Sequence, residues 1–168
     1  LHSAIRIMKE TGADSLKIEG GVEVVPSIKK IIDAGIPVMG HIGLMPQSIN
    51  KYGTYALRAN NEEEARKLRS DAKALEEAGC YAIVIEKVPA VLAAEVAKSV
   101  SIPIIGIGAG SGADGQVLVM HDMLGINMDF SPKFLRRYAN LNQVISEAVV
   151  NYINDVKSGD FPNENEQY

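Results

Sequence analysis

The sequence has no tryptophan, one cysteine and only 5% aromatic residues. With Cys80 alone, no disulfide can close within the chain, which fits a reducing compartment. Cys80 follows Gly79 and opens an apolar strand, so it reads as an inert core thiol in preference to a nucleophile. No apolar run approaches the roughly 20 residues of a membrane span. The first residues, Leu1-His2-Ser3-Ala4-Ile5-Arg6, lack the basic segment and apolar core of a signal peptide, and the expected location is cytoplasmic. Positive charge is also short. Lys and Arg number 17 against 21 Asp and Glu, a formal charge of −4, which argues against nucleic acid or an anionic membrane as the main partner. No Cys/His spacing suits a structural zinc, and no Gly-x-Ser-x-Gly elbow is present.

What is there is a repeated unit. The 168 residues are 46% hydrophobic and 23% charged, with 15 glycines, enough for one domain (1–168) with a real core. Amphipathic helices alternate with short strands whose apolar residues run together, as in parallel sheets covered by helices. Helices are expected from about Ser3 to Thr11, near Val24 to Ala34, from a cap at Asn60 or Asn61 to Gly79, and after Pro89 to about Val100. In the third of these, Ala65, Leu68, Ala72 and Leu75 recur at helical spacing and face the sheet. A fifth strand is expected over Gln116–Met120 and a last helix from Asn142 to Lys157. Residues 160–168 read as a loose tail. Five such units fit either an open α/β sheet or part of a closed (β/α)8 barrel. A barrel typically takes about 250 residues, so this chain would supply about strands 4 to 8, with roughly 80 to 100 residues upstream of them.

Three strands end in an ionisable group. The strands read Asp14-Ser15-Leu16-Lys17-Ile18-Glu19-Gly20-Gly21, Ile36-Pro37-Val38-Met39-Gly40-His41-Ile42-Gly43 and Cys80-Tyr81-Ala82-Ile83-Val84-Ile85-Glu86-Lys87. Loops at the carboxyl ends of parallel strands share one face, where chemistry collects, so Glu19, His41 and Glu86 are expected to converge. Lys17 and Glu19 are two apart and point to the same side, as an ion pair or as ligands for a metal or substrate. Glu86 ends the most apolar strand, a setting that suits a general base; a pair with Lys17 is the competing reading, since Lys87 should point away. His41 is either a hydrogen-bonded core residue or a catalytic one. The loop from Gly106 through Gly108 and Gly110 to Gly115 either cradles a ligand through backbone N–H groups or makes a tight turn. It matches no P-loop. His121 and Asp122 are adjacent and would diverge on a strand, which favours a structural role.

Several stretches together resemble the ketopantoate hydroxymethyltransferase family. They are Lys-Ile-Glu-Gly-Gly at 17–21, Gly-His-Ile-Gly-Leu-Met-Pro-Gln-Ser at 40–48 and Ile-Glu-Lys-Val-Pro at 85–89. Also matching are Ile-Gly-Ile-Gly-Ala-Gly from 105, Leu-Val-Met-His-Asp at 118–122 and the closing Ser-Gly-Asp-Phe-Pro at 158–162. The resemblance implies a (β/α)8 TIM barrel, of which this chain is the C-terminal part. It also implies hydroxymethyl transfer from 5,10-methylenetetrahydrofolate to 3-methyl-2-oxobutanoate, giving 2-dehydropantoate for pantothenate synthesis, with Mg2+. It makes Glu19 a metal ligand, Lys17 a substrate contact, Glu86 the base and His41 an active-site residue. The partners it implies are the small keto acid, the folate and further copies of the chain, as a decamer. Two other readings stand beside it: a Schiff-base aldolase using Lys17, and a half-barrel that serves assembly without catalysis.

Overall fold

Apolar strands separated by amphipathic helices fold into one parallel sheet. The computed structural model describes residues 1–168, which divide into two compact units, Leu1–Val117 and Leu118–Tyr168. The first unit runs α1 (His2–Thr11), β1 (Leu16–Glu19), α2 (Val25–Asp33), β2 (Val38–Gly43), α3 (Ile49–Tyr52), α4 (Glu62–Glu77), β3 (Ala82–Glu86), α5 (Ala90–Ser99), β4 (Ile104–Ile107) and β5 (Gly115–Gln116). The five strands lie in the order β1-β2-β3-β4-β5, every neighbouring pair parallel. Each strand therefore sits beside the next in sequence. That is the order along a (β/α)8 barrel, whereas a doubly wound sheet reverses its order partway.

The register separates two faces. Partners in a parallel pair project to the same side, and Leu16↔Val38, Ile18↔Gly40, Gly40↔Ile83, Ile42↔Ile85 and Ile83↔Ile104 trace one of them. Val38, Ile42, Ile83, Ile85 and Ile104 from this face join one apolar cluster with Ala4 of α1, Ile28 and Ile31 of α2, Ala65, Leu68, Ala72 and Leu75 of α4, and Leu92, Ala93 and Val96 of α5. No residue of the opposite parity, from Lys17, Glu19 and His41 to Val84, Glu86 and Ile105, belongs to that cluster. The helices thus pack on one side of the sheet and the ionisable residues stand on the other. A barrel wall has this asymmetry; an open sheet with helices on both faces does not.

Local signals account for the helix ends. Asn61 caps α4, its Oδ1 accepting the Glu64 N–H at 2.9 Å, and Glu62, Glu63 and Glu64 fill the positive end of the helix dipole. Gly12 after α1 and Gly79 after α4 take positive φ, the left-handed geometry that ends a helix. Cys80 is buried, and burial pushes its thiol up to about 11.

The fifth strand is shorter than the apolar run Gln116–Met120 predicts. Only Gly115 and Gln116 pair with β4, and the last ladder contact is Val117 N–H to Gly106 O at 3.0 Å. Val117, Val119 and Met120 stay exposed, because an apolar run by itself does not distinguish a strand from the start of another element.

The second unit holds α6 (Met120–Met123) and α7 (Leu141–Ser158). Asn140 caps α7 and Gly159 follows it at φ 77°. The stripe Ile145, Val149, Tyr152, Ile153 and Val156 is exposed along α7. In the segment expected to be loose, Phe161 meets Tyr152 edge-on at 5.5 Å, and Asn163 caps a short 3-10 turn at Glu164–Glu166.

Candidate active site

Glu19, His41 and Glu86 come together because the register aligns the ends of β1, β2 and β3. Glu19 pairs with His41, His41 with Val84, and Gly43 with Glu86. Lys17 lies two residues before Glu19 and shares its face. His41 Nδ1 lies 3.1 Å from Lys17 Nζ and 3.7 Å from Glu19 Oε1, while Nε2 lies 3.3 Å from Glu86 Oε2. The imidazole is 2% exposed, and the carboxylates of Glu19 and Glu86 are 6% and 17% exposed.

The hydrogen bonding assigns the imidazole proton. A lysine ammonium only donates, so Nδ1 must accept from Lys17, and the ring proton then sits on Nε2. A doubly protonated ring would set two donors against each other across 3.1 Å. Despite its distance from Glu86, Nε2 lacks the alignment of a hydrogen bond and is a buried donor with no partner. Buried polar groups are nearly always paired, which makes this atom an exception, 3.3 Å from a carboxylate oxygen.

The competing pairings do not form. Lys17 goes to His41, and neither Glu19 nor Glu86 forms an ion pair with it. Lys17 is also exposed, the reverse of the buried setting that turns a lysine into a Schiff-base nucleophile. Lys87 takes φ 51° and turns away from the site. Its Nζ donates to Tyr55 O and its own carbonyl accepts from Arg58 N–H, so it clamps the 51–58 loop. Gly43 is what lets β2 and β3 close at this end: it sits at φ 91°, and a Cβ there would stand 2.2 Å from the Glu86 carbonyl oxygen.

Glu19 is held in place by the loop after β2. Its Oε2 accepts the Gln47 N–H at 3.0 Å, leaving one oxygen facing His41. No three His, Cys, Asp or Glu side chains of this chain gather into a cation site. Magnesium normally takes one or two carboxylates together with substrate oxygens and water, so these residues do not hold it alone.

The glycine-rich loop has packing reasons for two of its glycines. A Cβ on Gly110 would lie 2.4 Å from Ala90 Cβ, and one on Gly112 would lie 2.5 Å from Ala94 Cβ, so the loop presses against α5. Gln116 Nε2 ties the loop to Gly110 O at 2.9 Å. Gly108 takes φ 61°, and Gly106 faces Ala113 and Gln116. His121 is exposed, and the buried Asp122 accepts from Asn127 Nδ2 at 3.1 Å, a contact that ties a turn together.

A separate cavity of about 260 Å3 opens beside the ends of β1 and β2, lined by Glu23, Tyr52, Arg58, Glu64, Lys67 and Asp71 among others. None of Lys17, Glu19, His41 or Glu86 lines it. Most of its charges are paired: Lys67 with Asp71 at 2.6 Å and Glu23 at 3.3 Å, and Arg58 with Glu64 at 2.8 Å over the Tyr52 ring, while Lys51 on the same lining has no ion-pair partner. The sequence offered no signal for the buried carboxylate of Asp71, which accepts the Val22 N–H from 49 positions away.

The family model described as ketopantoate hydroxymethyltransferase matches residues 1–164. Over 168 residues the chain is 68% identical to the 3-methyl-2-oxobutanoate hydroxymethyltransferase of Parabacteroides distasonis, covering all of this chain and 62% of that protein. The proteins of the same name from Porphyromonas gingivalis and Bacteroides thetaiotaomicron are 67% and 65% identical over the same spans. The chain thus spans about 62% of the length of the curated relatives it matches. Among solved structures, the YdjI aldolase of Escherichia coli aligns with a TM-score of 0.43 at 18% identity, covering 71% of this chain and 49% of that one. On the family match and these identities, the chain belongs to the ketopantoate hydroxymethyltransferase family.

Proposed function

We propose that the complete protein is a 3-methyl-2-oxobutanoate hydroxymethyltransferase, in which β1–β5 serve as strands 4 to 8 of a (β/α)8 barrel. It would move a hydroxymethyl group from 5,10-methylenetetrahydrofolate to 3-methyl-2-oxobutanoate, giving 2-dehydropantoate. The observation that carries this reading is the strand-end group itself, a carboxylate at Glu86 next to the buried imidazole of His41. The relatives' shared name supports hydroxymethyl transfer to 3-methyl-2-oxobutanoate.

In this reading Glu86 removes the proton from C3, the carbon beside the ketone. Its position at the end of β3, fixed by the close approach of Gly43, lets it face a substrate lying over the strand ends. Lys17 contributes positive charge to the same face, complementary to a substrate carboxylate. The Mg2+ of the reaction would take Glu19 as one ligand, with the rest from outside residues 1–168. The protein would act in the cytoplasm as a homo-oligomer.

The test is Glu86→Gln in the complete protein. Exchange of the C3 proton of the keto acid with deuterated water should fall by about 10²–10⁴, the usual range for a positioned base, with keto-acid binding retained. Exchange at the original rate would refute the assignment.

A further inference from the structure

The 51–58 loop is pinned at several points while its apolar side chains face solvent. Lys87, the residue after Glu86, spends its ammonium on the Tyr55 carbonyl and its own carbonyl on the Arg58 N–H at 2.9 Å. The Arg58 guanidinium pairs with Glu64 at 2.8 Å and lies 4.3 Å from the centre of the Tyr52 ring. Lys87 at φ 51° and Ala59 at φ 53° are the non-glycine residues of the chain with positive φ, and both stand at the anchors of this loop. Left-handed backbone at such residues is strained, and strain of this kind gathers at ligand clamps. Between the anchors Tyr55 and Leu57 stay exposed.

The aromatic residues of the first unit are Tyr52, Tyr55 and Tyr81. Tyr81 stands before β3, at the amino end of the sheet, where its hydroxyl meets Ser15 Oγ at 2.9 Å. Tyr52 is covered by Arg58. Tyr55 is left as the ring at the carboxyl end with nothing stacked on it. Lys51, on the same loop, is exposed and has no ion-pair partner, while Arg58 and Lys67 on the same cavity wall are paired. The loop therefore offers a bare aromatic face and an uncommitted cation.

We propose that this loop binds the outer end of the one-carbon donor: the aminobenzoyl ring of the folate packs on Tyr55 and Leu57, and its glutamate carboxylate meets Lys51. This rests on the reading of the protein as a folate-dependent hydroxymethyltransferase with Glu86 as the base. C3, the carbon that yields its proton to Glu86, also receives the one-carbon unit, so the donor must come up beside the end of β3. In methylenetetrahydrofolate that unit bridges N5 and N10, and N10 is bonded to the benzoyl ring. The ring thus lies next to the reacting carbon, and the glutamate beyond it leads outward over a loop that borders Glu86. β2 and β4 flank β3. The loop after β4, residues 108–114, carries neither an aromatic nor a cationic side chain, whereas the loop after β2 carries both and is fastened to Lys87. Because the loop is already pinned, a flat ring can bury apolar area on Tyr55 with little ordering cost. Lys51 adds charge complementarity to a tail that is anionic at neutral pH.

The experiment uses the complete protein. p-Azidobenzoylglutamate, the folate tail with an azide in place of its amine, should on irradiation label a wild-type peptide containing residues 51–58, and tetrahydrofolate should block the labelling. Tyr55→Ala should raise KM for methylenetetrahydrofolate by about tenfold or more, the range of one aromatic stacking contact. Tyr55→Phe, which keeps the ring, should stay near wild type. Lys51→Gln should raise the same KM by about two- to fivefold, as for an exposed ion pair, and high salt should erase that difference. C3 deuterium exchange of the keto acid, measured without folate, should stay within about twofold of wild type in all three variants, because none of them touches Glu86. Exchange falling in step with transfer would show that the loop only supports the base, and would overturn the proposal. An unchanged folate KM in Tyr55→Ala, or labelling confined to other peptides, would overturn it as well. Glu86→Gln keeps the two readings apart: exchange that survives it refutes the base, whereas an unmoved folate KM in Tyr55→Ala beside normal wild-type transfer refutes the tail site alone. Should a variant not fold, the labelling of the wild type still decides.

Discussion

A Cβ added to Gly21 would stand 2.0 Å from Cγ of Asp71, so the turn after β1 is pressed directly against a carboxylate of α4. Asp71 is 6% exposed and spends its oxygens on the Val22 N–H and the Lys67 ammonium. Gly21→Ala would force that carboxylate to move and break both contacts. The expected loss is about 1–3 kcal/mol, the usual range for overpacking, read from urea unfolding. Gly12→Ala is the control, since nothing lies within 4 Å of its Cβ position. It should lose only the roughly 1–2 kcal/mol of a left-handed residue.

Gly40 and Leu75 form a second close approach. A Cβ on Gly40 would lie 2.8 Å from Leu75 Cδ1, which belongs to a fully buried side chain. Leu75→Ala should cost about 2–5 kcal/mol through the cavity it leaves. Gly40→Ala should be destabilising in the native background and much less so beside Leu75→Ala. A double-mutant cycle measures the difference, and additive effects would show that the two do not press on each other.

Much of this layout was legible beforehand and some was not. The helix boundaries followed from Asn61, Gly12 and Gly79, because caps act through residues one turn away. The inward positions of α4 followed from their spacing. Asp71 was missed because nothing local separates it from the solvated acids of the same helix; its partner Val22 arrives only through the fold. The Lys17–His41 contact is of the same kind, joining residues 24 apart through strand register. The strand expected at Gln116–Met120 came out shorter for the opposite reason: its residue types were apolar, but only Gly115 and Gln116 found a partner strand.

The charges around the cavity set a pH dependence. Burial pushes the Glu23 carboxyl up, but backbone donors and Lys67 outweigh it and hold it below the ordinary range. Burial pushes Lys67 down, but Asp71 and Glu23 outweigh it and hold it above. Glu23 therefore adds stability that is present above its ordinary carboxylate pKa and is lost as the pH falls through its lowered value. Lys67 adds stability that is present below its ordinary ammonium pKa and is lost as the pH rises through its raised value. Glu23→Gln should flatten the acid limb of stability against pH. Both groups are about half exposed, so solvent screening limits the effect to about 0.2–1 kcal/mol. Denaturant unfolding from neutral to acid pH, repeated in high salt, checks it.

Cys80 offers a chemical probe of the core. It is 2% exposed and burial pushes its thiol up to about 11, so little thiolate exists at pH 8. Ellman's reagent should leave the folded protein unlabelled at that pH and react at once in denaturant. Prompt labelling under native conditions would show that β3 opens far more readily than its packing implies.

Because the side chains of a strand alternate, β2 carries two messages in one stretch of chain: Val38, Gly40 and Ile42 are addressed to the helices, and His41 to the opposite face. Inserting one residue ahead of His41 would exchange the addressees, sending the imidazole into the oily layer and Ile42 to the face of Lys17, Glu19 and Glu86. A two-residue insertion would preserve the parity. The reading frame of this strand is thus counted in pairs. Its variation should accumulate by substitution within each parity and by length changes in the loops, and odd-numbered length changes within β2 should be among the least tolerated.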